Sequence, residues 1–266
     1  MKHIVFALVA LIVVGVVVYI FAYRADAPSD SGQVGDTPEV ATERPTVHPI
    51  EHASFVLTWG DTIIYNDPVG DAREYLAYGK PGLIVLTHSH PDHLDIPLLE
   101  QIGNAPIVAP EEVFAKLPAT LQTNTTVVKN DETVTVAGIT LTAIPMYNIT
   151  PEKSEFHVKG VGNGYVMERD GFRIYNASDT ENTPEFRGQT DIDIAFVPMN
   201  EPFTMSVTDA VAGVIAMAPR QVYPYHYRGR DGMSDVEAFR SQVESANPDV
   251  NVILANWYPN DEPVLE

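Results

Sequence analysis

Residues 4 to 22, IVFALVALIVVGVVVYIFA, form one unbroken apolar run with no charged or strongly polar side chain. As a helix rising 1.5 Å per residue it would be roughly 28 Å long, close to the hydrocarbon thickness of a bilayer. The pattern predicts a transmembrane anchor over residues 1–23. A cleavable signal peptide is the rival, but its apolar region usually runs about 7 to 15 residues and ends at a small-residue cleavage site. The one candidate, Ala25-Asp26-Ala27, is followed by Pro28, which disfavours cleavage, so an uncleaved signal-anchor is expected. Lys2 precedes the run and Arg24 follows it, a slight bias to an inside N-terminus that puts the soluble part on the periplasmic or extracellular side. Residues 24–45 are rich in Pro, Gly, Ser, Asp and Thr and read as a flexible linker, too poor in large apolar groups to offset the entropy of ordering.

From residue 46 the pattern changes to short apolar runs separated by turn residues. Ser54 to Trp59 and Thr62 to Tyr65 flank Gly60-Asp61, a hairpin-closing dipeptide. Leu83 to Leu86 reads as a strand buried on both faces. Further strands are expected at Pro106 to Ala109, Thr125 to Val128, Thr133 to Val136, Ile139 to Ile144, Gly164 to Met167, Phe172 to Asn176, Ile192 to Val197, Val222 to Tyr225 and Asn251 to Leu254. Helices are expected near Ile96 to Gln101, near Glu111 to Leu117, and after two capping boxes, Ser206-x-x-Asp209 and Ser234-x-x-Glu237. Many strands with interspersed helices imply an α/β domain over 46–266, two sheets covered by helices.

The candidate chemistry sits directly after the buried strand, in Thr87-His88-Ser89-His90-Pro91-Asp92-His93-Leu94-Asp95. Three imidazoles and a carboxylate within six residues suit borderline divalent metals, and the spacing can serve two ions. The plain alternative is a His-rich surface loop. On an extended segment His88 and His90 point the same way and would bind one ion; Asp92 and His93, turned away after Pro91, would bind the other. More ligands are needed. Asp179, just past the Phe172 to Asn176 strand, is placed to bridge both ions, and His226, ending Tyr223-Pro224-Tyr225-His226, to complete the second.

Composition narrows the picture in two ways. A formal net charge of −20 argues against nucleic acid and anionic lipid headgroups as partners, although such acidity equally serves plain solubility. With no Cys there is neither a disulfide nor a lipid-modified cysteine. Nucleophilic serine chemistry lacks its G-x-S-x-G signature, and no phosphate-cradling or dinucleotide glycine motif is present.

His52-Ala53-Ser54-Phe55, Asp67-Pro68, the His cluster, Ser178-Asp179-Thr180 and Tyr223-Pro224-Tyr225-His226-Tyr227, taken in this order, resemble the metallo-β-lactamase superfamily. Within it they look closest to the branch of ascorbate-6-phosphate lactonase-like proteins and N-acyl phosphatidylethanolamine phospholipase D. The resemblance implies an αββα sandwich with a dinuclear site at one edge. It also implies that Asp67 steadies the His cluster, though Asp67-Pro68 can equally be a simple turn. His52 resembles a residue near the metal edge, or is a first-strand histidine hydrogen-bonded inside the sandwich. The third ligand of the first ion departs from the pattern: counting back from Asp179 reaches Tyr147-Asn148, and His157 is the preferred ligand with Asn148 the alternative. Ser178 stands where relatives usually have Gly.

The expected function is a membrane-tethered hydrolase using two divalent ions, zinc first and manganese or iron next. A hydroxide held between the ions would be the nucleophile, with Asp92 orienting it and passing a proton to the leaving group. Asn200, Tyr225 and Tyr227 either donate hydrogen bonds to the oxyanion or are turn and core residues. The substrate is expected to be a small molecule or a lipid-derived one: a phosphodiester or lipid headgroup first, a lactone or carboxylic ester second, a β-lactam third. An inactive metal-binding scaffold and an iron-dependent oxidative enzyme on the same fold are the other classes.

Overall fold

The computed structural model describes residues 43–259. The expected anchor and nearly all of the linker lie outside the described residues. Among the described residues no helix is long and apolar enough to cross a membrane.

Two sheets are built in chain order. The first contains β1 (Thr46–Glu51), β2 (Ser54–Trp59), β3 (Thr62–Asn66), β4 (Leu83–Val85), β5 (Ile107–Ala109) and β6 (Thr125–Val127), side by side in that order. β1 to β3 form an antiparallel meander, and from β3 onward the pairing is parallel. The Gly60-Asp61 hairpin forms as expected: Trp59 pairs with Thr62, and Gly60 takes the positive φ (59°) that the tight turn needs.

The second sheet draws on β7 (Thr133–Val136), β8 (Ile139–Met146), β9 (Gly162–Arg169), β10 (Phe172–Asn176), β11 (Ile194–Pro198), β12 (Gln221–Tyr225) and β15 (Asn251–Val252), in the order β15-β12-β11-β10-β9-β8-β7. Its last four strands in the chain are parallel. A small hairpin, β13 (Arg228–Gly229) with β14 (Gly232–Met233), stands apart.

Helices α1 (Ala72–Leu76), α2 (Ile96–Ile102), α3 (Glu111–Phe114) and α4 (Ala119–Gln122) belong to the first half of the chain. Helices α5 (Pro184–Arg187), α6 (Val207–Met217) and α7 (Val236–Ala246) belong to the second. Strand alternation assigns the apolar side chains of the strands to layers. Phe55, Leu57, Leu83, Val85, Ile194 and Phe196 fill the space between the sheets. Their neighbours Val56, Ile84 and Leu86 face outward and are covered by Leu98, Leu99 and Val113 of α2 and α3. Tyr175, Ala195 and Val197 face the other way, against Val214, Phe239 and Val243 of α6 and α7. The result is the four-layer αββα sandwich that the pattern predicted.

The differences are local. β1 is not among the strands that the apolar pattern marks; Pro49 lies within it, and as the outermost strand it tolerates a residue without an N–H. Ser206 caps α6 as expected, accepting from Asp209 N at 3.1 Å. The second box shifts by one residue: Asp235 caps α7 through Ala238 N at 2.8 Å, and the Ser234 hydroxyl is drawn to the Met199 carbonyl.

Candidate metal centre

The chemistry-bearing residues leave the sheets at one edge. Asp67 follows β3, His88 to His93 follow β4, Asp179 follows β10, Asn200 follows β11 and His226 follows β12, each at the C-terminal end of a strand with a parallel neighbour. Four of the non-glycine residues at this edge, His52, Asp67, Ser178 and His226, hold positive φ angles of 56°, 40°, 55° and 46°. Left-handed backbone costs on the order of 1–3 kcal/mol at a non-glycine residue and gathers at functional sites. Ser178 therefore adopts the conformation that a glycine would take freely, steadied by its N–H donating to Asn176 Oδ1 at 3.1 Å.

The imidazoles meet around Asp179. His88 Nε2 lies 3.0 Å from His90 Nδ1, and His93 Nε2 lies 3.3 Å from His226 Nε2. Asp179 turns one oxygen to His93 Nε2 at 3.5 Å and the other to His157 Nε2 at 3.2 Å and His226 Nε2 at 3.4 Å. Asp92 Oδ2 lies 3.5 Å from His226 Nε2. Donor atoms of His88, His90 and His157, of His88, His93 and Asp179, and of His52, Asp92 and His226 each gather within 4.8 Å.

Whether these residues fit divalent ions is decided by what the donor atoms otherwise do. Both ring nitrogens of His157, Nδ1 of His226 and Oδ1 of Asp179 are buried without a hydrogen-bond partner. Such orphaned atoms cost about 1–3 kcal/mol each unless something satisfies them. Nitrogen facing nitrogen, with a carboxylate between, is the donor set that divalent zinc, manganese or iron would satisfy. Burial holds His88 well below the ordinary histidine pKa, so its lone pair is free for an ion. Burial also opposes charge on Asp179, but His226 and His93 outweigh it and keep the carboxyl well below the usual range. For His93 the order reverses: burial would lower its pKa, and Asp179 with Asp67 raises it well above 6.5.

Asp67 is buried and does more than turn the chain. It accepts from Thr87 N at 2.8 Å and Thr87 Oγ1 at 2.6 Å, and its Oδ2 lies 2.9 Å from His93 Nδ1. His52 lies at the edge itself: its ring meets that of His226 at 4.6 Å, its Nδ1 is 2.9 Å from the Tyr258 hydroxyl, and burial with His226 pushes its pKa down to about 4. His157 and Asn148 both bury an unpartnered acceptor but face different groups. His157 reaches Asp179, whereas Asn148 Nδ2 donates to the carbonyls of Lys153 and Phe203 at 3.0 and 2.7 Å. Glu181 accepts from Ile149 N and Thr150 N at 2.7 Å each and so pins the loop that carries His157.

Asn200 also reaches the centre, its Nδ2 3.0 Å from His226 Nε2, with Oδ1 held by the Thr204 hydroxyl. The two tyrosines do not. Tyr225 is fully buried and donates to Asn176 Oδ1 at 2.7 Å, and Tyr227 packs edge-on against Tyr258. Thr87, Glu112 and Tyr258 were not singled out in the sequence. Glu112 accepts from Ser89 N at 3.0 Å and Ser89 Oγ at 2.8 Å and fixes the loop between His88 and His90. No sequence signal marks a carboxylate more than twenty residues away as its anchor.

Beside the centre opens a cavity of ~300 Å³, lined by His90, Asp92, His157 and Asp179 with Asn200, and by Pro91, Phe156 and Phe203.

Residues 46–226 match the Beta-lactamase superfamily domain, and the chain belongs to that superfamily. A metal-dependent hydrolase of Pyrococcus abyssi is 31% identical over 72% of this chain and 89% of its own length. A solved metal-dependent hydrolase from Parabacteroides distasonis is 32% identical, with a TM-score of 0.71 over 80% of this chain and 93% of its own. A metallo hydrolase from Ignicoccus hospitalis shares the fold, at 22% identity and a TM-score of 0.68 over 80% of this chain and 95% of that one. The protein is an enzyme of the metallo-β-lactamase fold, a metal-dependent hydrolase.

Proposed function

We propose that the protein is a dinuclear hydrolase of small molecules, with His88, His90 and His157 holding one divalent ion, Asp92, His93 and His226 the other, and Asp179 shared. The observation that carries this is the placement of Asp179, whose two oxygens face imidazoles on both sides. Bound divalent ions supply an activated water at neutral pH and polarise the oxygen of the scissile group.

The remaining work falls to the chain's own residues. Asp92, with its side chain 40% exposed, is open to the cavity and can take and return a proton at the leaving group. Asn200 presents its amide N–H groups toward the centre because Thr204 occupies its Oδ1, which suits a donor to the oxygen that gains charge. Asp67 and Thr87 keep His93 oriented.

A carboxylic ester or lactone suits this cavity better than the phosphodiester that the sequence ranks first, because among the described residues no lysine or arginine lines it and Pro91, Phe156 and Phe203 make part of the lining apolar. Hydrolysis there adds water across the acyl C–O bond, giving an acid and an alcohol. We further propose that residues 1–23 anchor the enzyme in a membrane, with residues 24–45 as a linker and the catalytic domain on the periplasmic or extracellular side; the apolar run in the sequence supports this. The test is a zinc-loaded comparison of matched substrates: lactones and phenyl esters should be turned over faster than phosphodiesters, and chelation should abolish both.

A further inference from the structure

Phe156 and Phe203 are large apolar side chains that join none of the three hydrophobic core clusters among the described residues. Both are only partly buried, and both line the cavity beside the metal centre. Their rings meet edge to face, with centroids 5.2 Å apart and planes at 70°. Two aromatic rings outside a core leave apolar surface facing a cavity, which water solvates poorly.

Their positions are fixed from several directions. Phe156 precedes His157 on the loop between β8 and β9, and Phe203 lies between Asn200 and Thr204 on the loop after β11. Asn148 Nδ2 donates to the Phe203 carbonyl at 2.7 Å, and Lys153 Nζ donates to the Thr204 carbonyl at 2.9 Å, which stitches the two loops together. The Arg230 guanidinium lies over the Phe203 ring, 5.3 Å from its centroid. Pro91, between two candidate ligands, also lines the cavity. Among the described residues no lysine or arginine lines the cavity, and the Arg230 guanidinium comes near it only over the Phe203 ring.

We infer that Phe156 and Phe203 form an aromatic jaw that selects compact substrates carrying a flat apolar group next to the scissile bond. This rests on the hydrolase reading above and adds the feature that sets specificity. A flat ring entering the jaw would lie against one face and one edge, the arrangement aromatic groups prefer. The ~300 Å³ cavity limits the occupant to a small molecule and excludes a long double-chained lipid from full enclosure.

The experiment uses full-length, zinc-loaded protein and two carboxylate probes, acetate and phenylacetate, which differ only in the ring. Titration calorimetry should show phenylacetate binding about tenfold tighter than acetate. Phe156→Ala and Phe203→Ala should each reduce that preference to about threefold or less, with bound zinc per chain unchanged. A crystal soaked in phenylacetate, which needs no variant, should show the ring against both phenylalanines. Equal affinity for the two probes in zinc-loaded wild type, or a ring bound elsewhere, would overturn the jaw while leaving the hydrolase reading intact. A protein that binds neither zinc, manganese nor iron would overturn that reading instead.

Discussion

Asp67 Oδ2 lies 2.9 Å from His93 Nδ1, and neither side chain touches solvent. A carboxylate in that position accepts a hydrogen bond from Nδ1–H, so that Nε2, on the side that faces His226 and Asp179, is the nitrogen placed for an ion. Thr87 fixes the carboxylate in turn through its N–H and its hydroxyl. Asp67→Asn should therefore weaken the ion at His93 by about 10–100-fold while the domain stays folded. Metal titration with a competing chelator, alongside a thermal melt, separates this from general destabilisation.

The shared carboxylate makes a different prediction from the imidazoles. His90→Ala should lower occupancy of one ion and His93→Ala of the other, whereas Asp179→Ala should lower both. His157→Ala should behave like His90→Ala, and Asn148→Ala should leave occupancy near normal, because His157 is the one whose ring reaches Asp179, while the Asn148 N–H groups turn to the Lys153 and Phe203 carbonyls. Elemental analysis of the five variants checks the pattern, and uniform loss from all five would point to a structural site.

Proton traffic follows from the electrostatics. In the metal-free protein Asp179 and Asp67 raise the His93 pKa well above 6.5, which favours a proton on both ring nitrogens. An ion can take Nε2 only after the proton there leaves. Metal binding at neutral pH should thus release about one proton or more, and affinity should fall as pH is lowered. Calorimetry in buffers of different ionisation enthalpy measures the release, and heats independent of buffer would contradict it.

How far the domain extends toward its N-terminus is also open to measurement. The buried Trp59 indole donates to the Glu43 carbonyl at 2.8 Å, just ahead of β1. A chain starting at Thr46 leaves that N–H unsatisfied, at a cost of about 1–3 kcal/mol, whereas a chain starting at Thr42 keeps it. The longer fragment should melt several degrees higher; equal melting temperatures would remove the Glu43 contact from the account.

Much of this edge was legible in the sequence because each ligand follows a strand that the apolar pattern marks. His88 to His93, Asp179 and His226 could be placed that way, and His157 was preferred over Asn148 on ligand chemistry alone. Asp67 was left between a turn and a supporting role, since only the fold brings it to His93. What stayed hidden depends on contacts distant in sequence: Glu112 reaching Ser89, Tyr258 reaching His52, and Phe156 meeting Phe203. Tyr225 was left between an oxyanion donor and a core residue for a related reason, as its hydroxyl is turned inward to Asn176, which in turn donates to Asn66 Oδ1 at 2.7 Å across the two sheets.

The central claim is that two ions share Asp179. Anomalous scattering from crystals grown with zinc measures this most directly. The account predicts two peaks, one among His88, His90 and His157 and one among Asp92, His93 and His226, with Asp179 reaching both. A single peak, or two peaks of which Asp179 touches only one, would contradict it.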